Sequence, residues 1–167
     1  ILAAMLLPAL QQAKAKAMSI SCLSQEKQHG LAFQMYAGDN HDMLPRSWNG
    51  GPWDATTTMK YFDYIFPYVN DAKMMRCPVR PSQTIGGGAA LREWGYGYAC
   101  NGNAADARPM VSVRNPSQKI LLGDALWDDW RVMPGWWAGT CPSSDEIHNW
   151  AASKGHSGGG NYLYVDG

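Results

Sequence analysis

The chain has 167 residues, enough for one domain with its own core and short for two. Apolar residues make up 46% of the sequence, which excludes an intrinsically disordered chain. Lys+Arg and Asp+Glu both number 14, so the chain lacks the basic excess that favours nucleic acid, and we expect no nucleic-acid partner.

The longest predicted element is a helix over residues 1–37. Ala, Leu, Met, Gln, Lys and Glu dominate this stretch, and these residues are strong helix formers. Side chains at steps of three and four place one mostly apolar stripe on the helix: Leu10, Ala13, Ala17, Ile20, Leu23, Lys27, Leu31 and Met35. The segment Gly38-Asp39-Asn40 predicts the end of the helix, with Gly38 as its C-terminal stop.

The first ten residues, ILAAMLLPAL, carry no charged or polar side chain. Ten apolar residues are too few to span a bilayer, which needs about twenty, yet a small domain cannot bury both halves of so long a rod. We therefore interpret residues 1–10 as the remnant of a truncated transmembrane helix kinked at Pro8, and residues 11–37 as a helical spine. The alternative is an ordinary amphipathic core helix that begins in a buried strip.

Four cysteines, Cys22, Cys77, Cys100 and Cys141, form no C-x-x-C pair, which argues against a zinc knuckle or a thioredoxin-type site. A membrane anchor would place the domain in an oxidising compartment, where disulfides persist. We favour the pairing Cys22–Cys77, which ties the segment after a second helix to the spine, together with Cys100–Cys141. Buried thiols are the alternative.

The rest of the chain, residues 38–167, predicts a loop-rich head. A second helix over residues 54–68 shows apolar side chains at helical spacing and ends at Pro67. Alternating or continuous apolar runs predict strands near residues 96–100, 111–113, 119–125 and 161–167. The predicted fold is α+β, with the long helix packed on a small antiparallel sheet of three or four strands in a single domain.

An aromatic insert over residues 126–154 separates the last two strands, in a chain with eight Trp and eight Tyr. Large rings can build the core of a small, loop-rich domain. Alternatively, the tryptophans of the insert form a face for polysaccharide or cargo: Trp127, Trp130, Trp136, Trp137 and Trp150.

The segment Gly155-His156-Ser157-Gly158-Gly159 matches the G-x-S-x-G pattern of serine hydrolases. It leads into a strand instead of a helix, and no His follows Ser157, so we expect no enzyme. We expect His156 to pin the loop before the last strand, and Asp166 with Gly167 to form the turn that ends this strand. The spacing of the His and Asp residues fits no local metal-ligand pattern.

These motifs resemble a known family. ILAAMLLPAL, the Ala/Lys-rich helix and SCLSQEKQHGLAFQMYAGDNHDMLP are similar to the N-terminal region of type II secretion pseudopilins and type IV pilin-like proteins. His156, nine residues and then Asp166-Gly167 match the C-terminal H-x9-D-G pattern of a branch abundant in Planctomycetes, Verrucomicrobia and Lentisphaerae. Segments 76–78, 96–98 and 115–124 also resemble the family, which leaves residues 126–154 as a variable insert.

The resemblance implies a non-enzymatic subunit of a type II secretion or type IV pilus-like system that assembles through its N-terminal helix. It also implies a pilin-like fold, an inner-membrane anchor and a head in the periplasm or outside the cell; the truncated form would be soluble. No cofactor is implied, although some secretion pseudopilins bind calcium in the head, where Asp124 and Asp128 are the candidates here. The second hypothesis is an extracytoplasmic carbohydrate- or cargo-binding module on a pilin-like anchor.

Overall fold

The computed structural model describes residues 2–46, 61–78, 98–102, 107–124 and 160–167. Two helices and three strands in these parts of the chain define the fold: α1 (Leu2–Asp39), α2 (Tyr61–Val69), β1 (Tyr98–Cys100), β2 (Ile120–Asp124) and β3 (Tyr162–Tyr164). They confirm the predicted α+β class, with one long N-terminal helix and a small antiparallel sheet.

The sheet has the strand order β1-β2-β3, and both neighbouring pairs are antiparallel. Leu122 of the central strand lies opposite Leu163 of β3. Ile120, Leu121 and Leu122 are all buried although successive side chains point to opposite faces, so β2 is covered on both sides. The continuous apolar run in the sequence predicted this strand and its two-sided burial.

The prediction of a strand at residues 111–113 is wrong. Met110–Ser112 forms a short 3-10 helix instead, and Val111 at its tip is 85% exposed. The Met110 N–H donates to the Asp42 carbonyl at 2.7 Å, and the Val111 N–H donates to the Asp42 side chain at 3.1 Å. These two N–H groups therefore bond to the turn after α1 and not to a neighbouring strand.

Helix α1 is 38 residues long and continues on both sides of Pro8, where the predicted kink stays a prediction. The helix ends at Asp39, inside the predicted segment, but Gly38 is helical and is not the stop. In the turn after the helix, His41 and Asp42 adopt the left-handed conformation, with φ of 56° and 62°. The amide of Asn40 donates to the Tyr36 carbonyl at 2.8 Å and satisfies part of the helix end.

The face of α1 that packs on the head is not the predicted apolar stripe. Leu31 and Met35 of that stripe are 59% and 55% exposed and point away from the head. The buried face of α1 instead combines small, aromatic and polar residues: Cys22, Glu26, His29, Gly30, Ala32, Phe33 and Ala37. Gly30 lets the helix approach β3 closely, since a Cβ placed there would lie 3.0 Å from Leu163 Cδ2.

Helix α2 packs against the second half of α1 through aromatic side chains. The Phe33 and Tyr61 rings stack at 5.8 Å between centroids, and Ile65 is fully buried. Pro67 does not end the helix as predicted, because it lies inside the last turn and the helix continues to Val69. The predicted first turns, from residue 54 onward, lie outside the described residues.

The core lies between α1, α2 and the sheet. Its buried members come from every element and from the segments beside them: Cys22, Ala32, Phe33, Leu44, Tyr61, Phe62, Ile65, Met75, Cys77, Tyr98, Cys100, Leu121, Leu122, Leu163 and Val165. Since the first α1 residue among them is Cys22, the head holds only the second half of the helix.

Candidate functional site

The first half of α1 stands away from the head. Residues 6–14 are all exposed, and we call residues 6–17 the stalk. Contact with the head begins near Ser19, whose carbonyl accepts a hydrogen bond from the Asn161 amide at 3.3 Å. Residues 6–14 span more than two helical turns, so this part of the stalk is exposed on every side.

The stalk begins with an apolar surface. Leu6 and Leu10 are each 67% exposed, Leu7 is exposed beside them, and the first charged side chains are Lys14 and Lys16. Within the described residues, no helix combines the length and the apolar character that a bilayer span requires. Fully burying a leucine side chain stabilises by about 1.5–3 kcal/mol, so contact of Leu6, Leu7 and Leu10 with any apolar partner would be favourable.

The apolar surface continues past the stalk along the outer face of α1. Ile20, Leu31 and Met35 are exposed on the side opposite the buried face, and Lys27 lies between them in the same row. We call this row the outer stripe: Leu10, Ala13, Ala17, Ile20, Leu23, Lys27, Leu31 and Met35. Its spacing suits contact with a second helix that runs along α1.

A second candidate site lies where α1 enters the head. The Cys22 thiol donates to the Cys77 sulfur at 3.2 Å, and the Tyr98 hydroxyl lies 3.0 Å from the Cys22 sulfur. The same hydroxyl donates to Gln25 Oε1 at 2.6 Å. Burial first, and then the neighbouring Cys22, raise the pKa of Tyr98 far above its usual range, so the phenol stays protonated and acts as a donor. We call Cys22, Glu26, His29, Cys77 and Tyr98 the junction cluster.

His29 extends the junction cluster along the helix. Its ring meets the Tyr98 ring edge-on at 5.0 Å between centroids, and its side chain is completely buried. Burial lowers the pKa of His29 to about 4, against the opposing effect of the Met74 backbone, which raises it. The imidazole is therefore neutral at physiological pH. Glu26, one turn earlier on the same face, is also completely buried.

The sequence pattern did not predict Glu26, His29 and Tyr98 as site residues. Cys22, Glu26, His29 and Phe33 recur at steps of four, three and four, which is the same helical spacing as the apolar stripe. Since Glu26 and His29 have polar side chains, a search for apolar periodicity passes over this face. A cysteine, a carboxylic acid and a histidine at helical spacing are the sequence feature that could have identified this face.

The structure brings together some of the predicted site residues. Cys22 and Cys77 are in contact, and Cys100 is buried on β1. After β3 the chain turns, and Gly167 has φ of 97° with its N–H donating to the Tyr164 carbonyl at 3.1 Å. The remaining predicted residues lie outside the described parts: Cys141, His156, Asp128, Trp127, Trp130, Trp136, Trp137 and Trp150. The second disulfide, the role of His156 and the aromatic binding face stay predictions.

Metal binding has no support from the described residues. Asp124 lies opposite Tyr98 in the sheet, and no three His, Cys, Asp or Glu residues within the described ranges are grouped to hold an ion. Calcium binding in the head thus stays a prediction. Comparison of the chain with protein-family models, with curated proteins and with solved structures finds no match in any of the three.

Proposed function

We propose that the chain is a non-enzymatic structural subunit of a pseudopilin or pilin-like assembly, which associates with neighbouring subunits through α1. The observation that carries this proposal is the exposed apolar surface of the stalk and its continuation in the outer stripe. The sequence resemblance to pilin-like proteins supports it independently. In such an assembly the head would face outward.

The stalk needs a partner for energetic reasons. In proteins most of the stability of a helix comes from packing an apolar face and not from its helix propensity. The head supplies no such packing to residues 6–14, which are all exposed. A second helix lying along Leu6, Leu7 and Leu10 would bury these side chains and stabilise the stalk.

The outer stripe extends the same contact along the head-bearing half of α1. Ile20, Leu31 and Met35 follow one row, so a parallel helix can pack on the stalk and on the stripe at once. Lys27 interrupts the row with a long aliphatic stem, which can lie on apolar surface while its ammonium group stays in water.

We further propose that the subunit is anchored in the inner membrane, with the head in the periplasm or outside the cell. The support is the uncharged sequence ILAAMLLPAL, which has the composition of a lipid-exposed helix, with a Pro of the kind that such helices tolerate. In lipid the same apolar residues would keep unassembled subunits in the membrane until the subunits pack against each other.

The test replaces apolar residues of the stalk without changing its helix propensity. In the triple variant L6Q/L7Q/L10Q, glutamine keeps a strong helix former at each position and removes the apolar surface. Sedimentation velocity over a concentration series should show self-association of the parent chain and a monomer for the triple variant. The matched control is Val111→Gln, which changes an exposed apolar residue of the head and should leave association unchanged. Equal association of the parent and the triple variant would contradict the proposal.

A shorter chain tests whether the stalk is separate from the fold. Deletion of residues 1–10 should leave the unfolding midpoint of the head unchanged, since none of Leu6–Leu10 is buried against it. Differential scanning calorimetry measures this midpoint directly. A large drop in the midpoint would mean that the stalk belongs to the core.

A further inference from the structure

We propose that Cys22 and Cys77 are joined by a disulfide in the mature protein, and that this bond fixes α1 to the head at the point where the helix leaves it. Such a bond would join the helix to the head whatever the stalk binds, so it does not depend on the proposed function. The two sulfurs are 3.2 Å apart, and the residues are 0% and 4% exposed.

The bond would join two parts of the chain that are far apart in sequence. Cys22 is the first α1 residue in the core, and Cys77 follows the short 3-10 helix Ala72–Met75 that comes after α2. That segment is fixed locally, since the Asp71 side chain accepts from the Lys73 N–H at 2.8 Å. Residues 55 positions apart would thus be joined at one buried point.

The reaction balances as a thiol–disulfide exchange. Both thiols lose their protons, the Cys22–Cys77 S–S bond forms, and the two electrons reduce a disulfide-bearing oxidant, either oxidised glutathione or a thiol oxidoreductase, to its two thiols. Closing the bond requires the sulfurs to move from 3.2 Å to about 2.05 Å, which is within reach of side-chain rotation.

The surroundings accept the oxidised pair without leaving a buried donor unmatched. Oxidation removes the hydrogen bond from Cys22 to Cys77 and the S–H groups themselves. The Tyr98 hydroxyl keeps Gln25 Oε1 as its acceptor at 2.6 Å. Since Tyr98 stays protonated, it continues to cover the sulfur pair as a neutral donor.

The burial of the two sulfurs determines when the bond can form. A large oxidant cannot reach sulfurs that are almost fully covered, so the bond forms before the head closes over Cys22 and Cys77. Once the protein is folded, the same cover protects the bond from reductants. We therefore expect a stable structural link and not a bond that cycles in the folded state.

The test maps the bond in the unaltered protein. The chain is refolded with oxidised and reduced glutathione, alkylated in denaturant without further reductant, and digested with trypsin. The expected product is a linked pair of peptides 17–27 and 77–92, because trypsin cuts after Lys16, Lys27, Arg76 and Arg92. Peptide 17–27 recovered in alkylated form, or linked to a peptide that holds Cys100 or Cys141, would overturn the proposal.

Two variants and a matched control give an independent readout. Cys22→Ser and Cys77→Ser should lower the unfolding midpoint of the oxidised protein by about 10 °C, as expected for opening a loop of 55 residues. Cys100→Ser, another buried cysteine of the same core, should retain the linked peptides. A midpoint of the parent chain that does not fall on complete reduction in denaturant and refolding would also overturn it. Loss of self-association in the stalk variant has no bearing on either readout.

Discussion

Acid should destabilise the head through His29. The imidazole is completely buried against the Tyr98 ring, and burial lowers its pKa from 6.5 to about 4. In the unfolded chain the ring takes a proton as the pH falls through 6.5, whereas in the folded chain it stays neutral until about pH 4. The stabilising contribution of the neutral ring is therefore complete above pH 6.5 and is lost progressively as the pH falls from 6.5 to 4.

The size of the effect follows from the gap between the two pKa values. Each pH unit across this gap changes the free energy of unfolding by about 1.4 kcal/mol, so the full loss near pH 4 is about 3 kcal/mol. About 2 kcal/mol of it should be lost between pH 7 and pH 5. This is a large share of the roughly 5–15 kcal/mol that stabilises an ordinary domain.

Urea unfolding at a series of pH values, followed by far-ultraviolet circular dichroism, measures the effect. Glu26 lies on the same face and Cys22 and Tyr98 lie beside it, so the acid dependence of the parent chain alone does not isolate one residue. The His29→Gln variant does, because its own cost is independent of pH while its unfolding free energy should fall by about 2 kcal/mol less between pH 7 and pH 5. His41→Asn, at an exposed histidine with φ of 56°, is the matched control. The same pH dependence in His29→Gln and in the parent would refute this reasoning.

Two further stability predictions follow from single contacts. Gly30→Ala should lower the free energy of unfolding by about 1 kcal/mol, since its Cβ would lie 3.0 Å from Leu163 Cδ2, whereas Gly38→Ala meets nothing within 4 Å and should raise it by about 0.5–1 kcal/mol. Equal effects of the two substitutions in urea unfolding would show that the helix and β3 are not tightly packed. Tyr61→Phe should cost about 1 kcal/mol, because the buried Tyr98 carbonyl loses the hydroxyl that donates to it at 3.0 Å; an unchanged denaturation midpoint would contradict this contact.

The sequence was sufficient to predict the helices and strands whose own residues determine them. The length of α1 followed from a long run of helix formers, and β2 followed from a continuous apolar run. The strand prediction at residues 111–113 is wrong because the Val111 N–H donates to Asp42, which lies 69 positions away, and the Ser112 and Val113 N–H groups close a 3-10 turn. A local pattern of alternating residues contains no information about such a partner.

The same limit applies to the junction cluster. Chain order was enough to favour Cys22 with Cys77 as a pair, and the structure places their sulfurs 3.2 Å apart. His29 is buried against the ring of Tyr98, which lies on a strand more than sixty positions later in the chain. The face of α1 that packs on the head therefore depends on tertiary contacts, among them those with Tyr98 and the close approach of β3 to Gly30.

The orientation of α1 is the strongest reason to place an interaction on its outer face. A helix in a solitary soluble protein buries its apolar residues and exposes its polar ones, since burying an ionisable group costs free energy. Helix α1 departs from this rule over its second half, where Glu26 and His29 are buried beside Phe33 while Leu31 and Met35 face outward. A membrane anchor alone would not explain this arrangement, because it concerns residues that lie beside the head and not in the stalk. Packing against a neighbouring helix explains the stalk and the outer stripe together, which is why we propose assembly and not anchoring alone as the role of α1.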